Sequence, residues 1–353
     1  MKHSSRRVLK LLTVGSIPPE WGGPNAGGVA TTHRNLLEQF ARNDRLELVG
    51  VIPTRIARGA RLADHLPLIR DRSEDSYRRL ADRADVILML HVAHVFGQYQ
   101  ARYPHTPCIG SVRSWTPYIT AQDRSEARER INVSLGGMAS LVFPSLAALT
   151  QGEKLGFTYP VQAQVIHSAV SPTYAQALRD TTRHGVVFVG SLKPIKRAHL
   201  VIMACRQLGL NLKIIGDGPE RPKLEAMADE TVTFTGQLEA KEVRNILCSA
   251  AVLCVPSQSE GFANVYLEAA ACGTPIVGYG PNVDELSSTI GMSIGVGISP
   301  EADSEEVGKA LETVLSVDWS RQKMRHSILS QFDPVDVANR YLDLMTEIVD
   351  QTQ

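Results

Sequence analysis

What limits this chain most is an alternation that occurs in two series: short apolar runs rich in β-forming residues, separated by segments of helical length. The first series is VLKLLTV (8–14), LELVGVI (46–52), DVILML (85–90), PCIGSV (107–112), LVFPS (141–145) and QVIHS (164–168). The second is VVFVGSL (186–192), LNLKIIG (210–216), VTFTG (232–236), VLCVPS (252–257) and TPIVGY (274–279). Strands that alternate with helices build parallel sheets covered by helices, so the pattern predicts an α/β protein made of two such units in tandem. The polar, loop-forming stretch SAVSPTYAQALRDTTRHG separates the series and predicts a linker near 168–185. At 353 residues the chain exceeds one comfortable core, which also favours two domains. In the tail, DPVDVANRYLDLMTEIV sets Val337, Tyr341, Leu344, Met345 and Ile348 at helical spacing behind Asp333 and Pro334, the pattern of a docking helix. The expected division is 1–168, 169–332 and a terminal helix over 333–353.

Charge narrows the partners. The formal net charge is zero, which disfavours a general nucleic-acid binder. The halves differ, however: residues 1–168 carry +7 and residues 169–353 carry −7. The basic half is the better place for an acidic or membrane-borne partner, and attraction between the halves accounts equally for the split. Lys10 interrupts the first apolar run and no small-residue cleavage site follows it, so the opening reads as a strand rather than a leader. No stretch approaches the roughly 18 apolar residues of a membrane span. Cys108, Cys205, Cys248, Cys254 and Cys272 form no CxxC pair or metal-ligand cluster, and read as reduced core residues of a cytoplasmic protein. Weak peripheral contact at the inner face of a membrane, through the basic half, is the furthest association these features support.

Chemistry concentrates in SQSEGFANVYLEAAACGTPIVG (257–278), where Glu260 and Glu268 stand eight positions apart around an apolar helix start. The preceding strand ends at Ser257, so the spacing predicts a loop through Glu260, Gly261 and Phe262 and a helix from Ala263 or Asn264 to Gly273. Open α/β sheets bind ligands at the carboxyl ends of their strands, where helix N-termini offer unpaired N–H groups and partial positive charge. A phosphate on the amides of Phe262, Ala263 and Asn264, with hydroxyls on the two carboxylates, would make a site for a sugar–phosphate–nucleoside. The plainer alternative makes Glu260 a residue that complements the helix dipole and Glu268 a surface residue.

Two further loops share this character. FVGSLKPIKRAHL (188–200) crowds Lys193, Lys196 and Arg197 between a strand and a helix. They could neutralise a diphosphate leaving group, although a solvated basic turn explains them too. GGPNAGGVATTHRNLLEQFAR (22–42) is a glycine-rich loop leading into an amphipathic helix, where Gly27 and Gly28 would let amides approach an anion. It matches neither GxxxxGK[ST] nor GxGxxG, and a flexible turn is the alternative.

Taken in order, the glycine-rich first loop, the FVG…K turn, IIGDGPE (214–220), VTFTGQL (232–238), the E-x7-E segment and the terminal helix resemble the nucleotide-sugar glycosyltransferases of family 4. The resemblance covers nearly the whole chain. It implies a GT-B fold, two Rossmann-like domains with parallel sheets facing a cleft, with the final helix returning to the first domain. It further implies a retaining transfer of a sugar from a nucleotide diphosphate to an acceptor hydroxyl on a glycan, a lipid-linked sugar or a small molecule. Residue by residue, it gives Glu268 the ribose hydroxyls, Glu260 the hydroxyls of the transferred sugar and Lys196 the diphosphate. Gly261, Phe262, Ala263 and Asn264 fall around sugar and phosphate, Gly216 in a donor loop, Leu238 beside the base and Gly28 near the donor phosphate.

This chain departs from that pattern at two places. Ser191 stands where the family commonly has an arginine on the diphosphate, and Arg197 or Lys193 is expected to replace its charge. GSVRSWTP puts Arg113 where a sugar-contacting histidine is common, with His91 and His94 as other strand-end candidates. No carboxylate nucleophile is evident, which favours front-face substitution with neither metal nor cofactor. The acceptor is left open: the segment 55–83, with eight arginines against five acids, could face an acidic acceptor or an anionic lipid surface, and Trp21, Trp115 and Tyr118 could stack on a ring. A non-catalytic nucleotide-sugar-binding protein of the same fold is the competing reading.

Overall fold

The computed structural model describes residues 7–24, 27–90, 94–159, 161–176 and 182–352. Its contacts divide into two compact units, Met1–Ala169 with Pro334–Gln353, and Val170–Asp333.

Unit 1 is a parallel six-stranded sheet of β1 (Leu9–Gly15), β2 (Leu46–Pro53), β3 (Val86–Leu90), β4 (Cys108–Ser111), β5 (Ser140–Phe143) and β6 (Ala163–Val165), in the order β2-β1-β3-β4-β5-β6. Every residue of β3 is buried, which requires cover on both faces and explains why this strand reads as an unbroken apolar run. The cover comes from α1 (Gly28–Phe40), α2 (Glu74–Ala81), α3 (His94–Arg102), α4 (Thr116–Ile119), α5 (Arg124–Gly136) and α6 (Leu146–Lys154). Ser73, Asp123 and Ser145 start α2, α5 and α6 by accepting a hydrogen bond from the backbone three residues on.

Unit 2 carries β7 (Val186–Val189), β8 (Leu212–Ile215), β9 (Val232–Gly236), β10 (Val252–Val255), β11 (Ile276–Tyr279) and β12 (Gly295–Ile298), all parallel, in the order β12-β11-β10-β7-β8-β9. Its helices are α7 (Ala198–Leu208), α8 (Arg221–Met227), α9 (Ala240–Ser249), α10 (Asn264–Ala271), α11 (Gly280–Ile290), α12 (Ser304–Ser316) and α13 (Arg321–Gln331). The strand order reverses between β7 and β10, so the loops after these neighbours lead away in opposite directions. β12 has no counterpart among the expected runs. Its GVGI is half glycine and lies on the edge of the sheet, where neither burial nor side-chain pattern marks it.

The last helix, α14 (Pro334–Thr352), belongs to unit 1. Val337, Tyr341, Leu344 and Met345 enter the same buried cluster as Leu11, Val51, Leu88 and Ile109 of the sheet. The apolar stripe expected from the sequence is thus the face that covers β1 to β4.

Candidate functional site

The loops that follow β7 and β10 lie side by side at the carboxyl ends of these neighbouring strands, where the strand order of unit 2 reverses. The first is tied to the second by the N–H of Gln258, which donates to the Ile195 carbonyl at 2.9 Å. Across that tie the Lys196 ammonium pairs with Oε1 of Glu260, the two side chains being 23% and 11% exposed. Ser257, fully buried at the end of β10, donates its hydroxyl to the same Oε1 at 2.6 Å. Among the described residues no hydrogen bond is made to Oε2. Two donors on one oxygen therefore fix the carboxylate and leave its other oxygen as an acceptor.

Arg197 does something different from what its place in a basic turn suggests. It is 9% exposed, and its guanidinium donates to the carbonyls of Pro256 at 2.6 Å, Pro300 at 2.6 Å, Ala302 at 3.0 Å and Ser299 at 3.1 Å. Its backbone is left-handed, φ 51°, which no other non-glycine residue among those described adopts. The side chain stitches the ends of β7, β10 and β12 together, so the expectation that Arg197 replaces the diphosphate arginine is corrected. Lys193 is exposed in the same loop, as is Ser191.

At the start of α10 the expected phosphate cradle is also partly engaged. Ala263 is the N-cap residue, and its N–H donates to Oδ1 of Asn282, fully buried on α11, at 3.2 Å. Phe262 is buried with its ring 6.4 Å from that of Phe332. It shapes the loop from the core side. Gly261 is buried, Asn264 opens the helix half-buried, and Glu268 lies half-buried on the second turn. Tyr266 anchors the helix: its hydroxyl donates to the Val255 carbonyl at 2.8 Å and accepts from the Tyr279 N–H at 2.7 Å. Burial, and then the charge of Glu260, push its phenol well above the ordinary range, so it remains a neutral strut.

The other donor-side candidates line the same strand-end edge. Gly216 follows β8 with φ 130°, and a side chain there would collide with the Gly190 carbonyl. Only glycine allows these two loops so close. Leu238 is half-buried between β9 and α9. Ser257 and Asn282 were not found from sequence, because each acts through a partner on another segment.

In unit 1, Gly28 opens α1 and is exposed. Arg113 follows β4, is 6% exposed, and donates to the hydroxyls of Ser168 and, at 3.5 Å, Thr32. His91 lies outside the described residues, and the side chain of His94 is not described either. The expected stacking surface is corrected: Trp115 is buried against Phe157 at 4.6 Å with its indole N–H on the Ala148 carbonyl, and Trp21 and Tyr118 are buried as well. In the segment 55–83, Arg61, Arg78 and Arg79 pair with Asp64, Asp75 and Asp71 of the same segment, so part of its positive charge is balanced locally. Among the described residues no three His, Cys, Asp or Glu side chains gather as metal ligands, and no helix is long and apolar enough to cross a membrane.

Two six-stranded parallel α/β units, the second with its switch point between first and fourth strands, are the GT-B architecture of glycosyltransferase structures. Residues 183–316, which carry the whole Lys196–Glu260 arrangement, match the family described as glycosyl transferases group 1. The D-inositol 3-phosphate glycosyltransferase of Kribbella flavida is 28% identical over 158 residues, 39% of this chain and 37% of that protein. The first curated relatives are matched over only 27% to 37% of their length. Among solved structures, sucrose-phosphate synthase from Thermosynechococcus elongatus superposes with a TM-score of 0.79 over 97% of this chain and 100% of its own, at 16% identity. HepE of Anabaena, solved with UDP-glucose, gives 0.74 over 96% and 100%, at 18% identity. These two likenesses are of fold.

Proposed function

We propose that this protein is a retaining glycosyltransferase of family 4 that moves a sugar from a nucleotide diphosphate to an acceptor hydroxyl. The observation that carries the reading is the pairing of Lys196 with Glu260 across the switch point, inside the segment that matches the group 1 family. A cation and an anion there suit the two ends of one donor, the diphosphate and the sugar alcohols. A diphosphate would draw Lys196 from Glu260 and so release the carboxylate for hydroxyls as the donor arrives. HepE, solved with UDP-glucose on this fold, makes a UDP-sugar the first donor to test.

In the proposed reaction the bond from the anomeric carbon to the diphosphate oxygen breaks while the acceptor oxygen bonds to that carbon on the same face. The acceptor proton passes to a leaving phosphate oxygen. Lys196 stabilises the negative charge that develops on the diphosphate, the kind of interaction that contributes most to catalysis. Glu268 takes the ribose hydroxyls, and the exposed Lys193 adds charge where Ser191 supplies none. The reaction is proposed to need no metal or cofactor and to run in the cytoplasm, with a glycan, lipid-linked or small-molecule acceptor on unit 1.

A thermal-shift screen against UDP-, GDP-, ADP- and dTDP-sugars tests the donor, and mass spectrometry of products with NMR of the anomeric proton tests transfer and retention. Donor binding with neither transfer nor slow hydrolysis would select a non-catalytic nucleotide-sugar-binding protein instead. An inverted product would overturn the retaining mechanism.

A further inference from the structure

Arg113 is a cation in an unusual position. Buried guanidinium groups cannot shed their proton, and an uncompensated one is costly unless paired and fully hydrogen-bonded. Unit 2 shows the ordinary solution: Arg325 donates to the carbonyls of Tyr174, Ala175 and Gln176 as well as Ala271. Arg113 has no such arrangement. Its neighbours are the hydroxyls of Thr32, Ser168 and Tyr341, and no carboxylate pairs with it among the described residues. One terminal nitrogen, NH1, is buried with no hydrogen-bond partner, which leaves two N–H donors unused.

Its place in the sheet gives this shortfall a direction. The strand order of unit 1 turns between β1 and β3, and ligands of such sheets bind at the carboxyl ends of the strands around that point. Arg113 starts from the carboxyl end of β4 and reaches Thr32 on α1, the helix that follows β1. The guanidinium thus spans the strand-end edge over β3. It arrives one turn inside the N-terminus of α1, whose N-cap residue is Gly27 and whose dipole adds positive potential.

We infer that Arg113, with Thr32, Ser168 and the first turns of α1, forms an oxyanion subsite of unit 1 that takes a phosphoryl group. Paired N–H donors on a planar cation match phosphate oxygens, and the small hydroxyls around them fit a compact head rather than an extended anion. The subsite stands without the glycosyltransferase reading. Only its source rests on that reading, either the donor diphosphate or a phosphate ester on the acceptor.

The test uses the full chain and inorganic phosphate, read by thermal shift and isothermal calorimetry, in wild type, Arg113→Met and Arg113→Lys. Phosphate is expected to stabilise wild type and to bind Arg113→Met at least about tenfold more weakly, the scale of one lost charged hydrogen bond. Without phosphate Arg113→Met should melt no lower than wild type, since it removes an uncompensated buried charge. A phosphate response in Arg113→Met equal to wild type overturns the inference, as does a wild type indifferent to phosphate. Should Arg113→Met not fold, Arg113→Lys decides: weaker binding supports the subsite, and unchanged binding overturns it. Competition assigns the source. Phosphate displaced by saturating UDP places the donor there. Phosphate that binds beside UDP, and is matched by hexose or inositol phosphates but not by the free polyols, places a phosphorylated acceptor there. Neither readout depends on turnover, so an inactive protein that binds phosphate through Arg113 would refute the enzyme and keep the subsite.

Discussion

Lys196 and Glu260, 64 positions apart in sequence, form an ion pair that closes the gap between the loops after β7 and β10. Each neutralises the other, so on the proposed function a donor would have to exchange partners with this pair rather than meet bare charges. Lys196→Met should leave Glu260 held only by Ser257, lowering stability by about 1–3 kcal/mol. Donor affinity and turnover should fall with it. Calorimetry and initial rates check this, and unchanged values for both would remove Lys196 from the site.

Ser257 is expected to matter through Glu260. With its hydroxyl 2.6 Å from Oε1, Ser257→Ala frees the carboxylate to rotate and should weaken binding of a nucleotide sugar by about fivefold, the value of one hydrogen bond near 1 kcal/mol. If Glu260 takes the sugar hydroxyls as proposed, free UDP should bind as before, and Ser257→Thr should restore the difference. Equal losses for UDP and UDP-sugar would show a merely structural role.

For Arg197, removal should cost stability first. Arg197→Ala leaves four carbonyls in the loops after β10 and β12 without their donor, an expected loss of roughly 2–4 kcal/mol. Arg197→Lys should not recover it, because one ammonium cannot reproduce the planar fork. Urea denaturation measures both, and a loss below half a kcal/mol in Arg197→Ala would contradict the assigned role.

His33 makes unit 1 sensitive to acid. Its ring is buried in α1, with Nδ1 3.0 Å from the Ser16 carbonyl and Nε2 3.3 Å from the Thr13 hydroxyl. A carbonyl can only accept, so Nδ1 carries the proton, and Nε2 of the neutral ring accepts a hydrogen bond from the Thr13 hydroxyl. Burial lowers the pKa from 6.5 to about 4, against the smaller opposing effect of the Ser16 carbonyl. Below pH 6.5 the unfolded chain binds a proton that the folded chain refuses until about pH 4. Stability should therefore fall with pH across that window, by about 3 kcal/mol in total. His33→Gln should flatten this part of the profile in chemical denaturation from pH 7 to 4. An unchanged slope would assign the acid sensitivity elsewhere.

Much of this architecture can be read from the chain because strands buried on both faces cannot disguise themselves: DVILML and VLCVPS announce β3 and β10 by their apolar content. The E-x7-E helix was equally plain, since its loop, its start and Glu268 all lie within one segment. What escaped was chemistry set by distant partners. Arg197 looks like a solvated cation beside Lys196, and nothing local reveals the carbonyls of Ser299, Pro300 and Ala302 that hold it. Asn282 reads as an ordinary helical residue until α11 sets it against Ala263. Trp115 reads as a loop aromatic for the same reason, its burial depending on Phe157 and Ala148.

That α14 completes the core of unit 1 governs how the newborn chain must behave. Unit 2 leaves the ribosome as one continuous stretch, whereas the earlier half must wait for everything in between to be made. At ordinary elongation rates this delay is of the order of ten to thirty seconds. Throughout it the apolar surface around Leu11, Leu88 and Ile109 has no lid of its own, a period in which a nascent polypeptide either finds a chaperone or risks sticking to its neighbours.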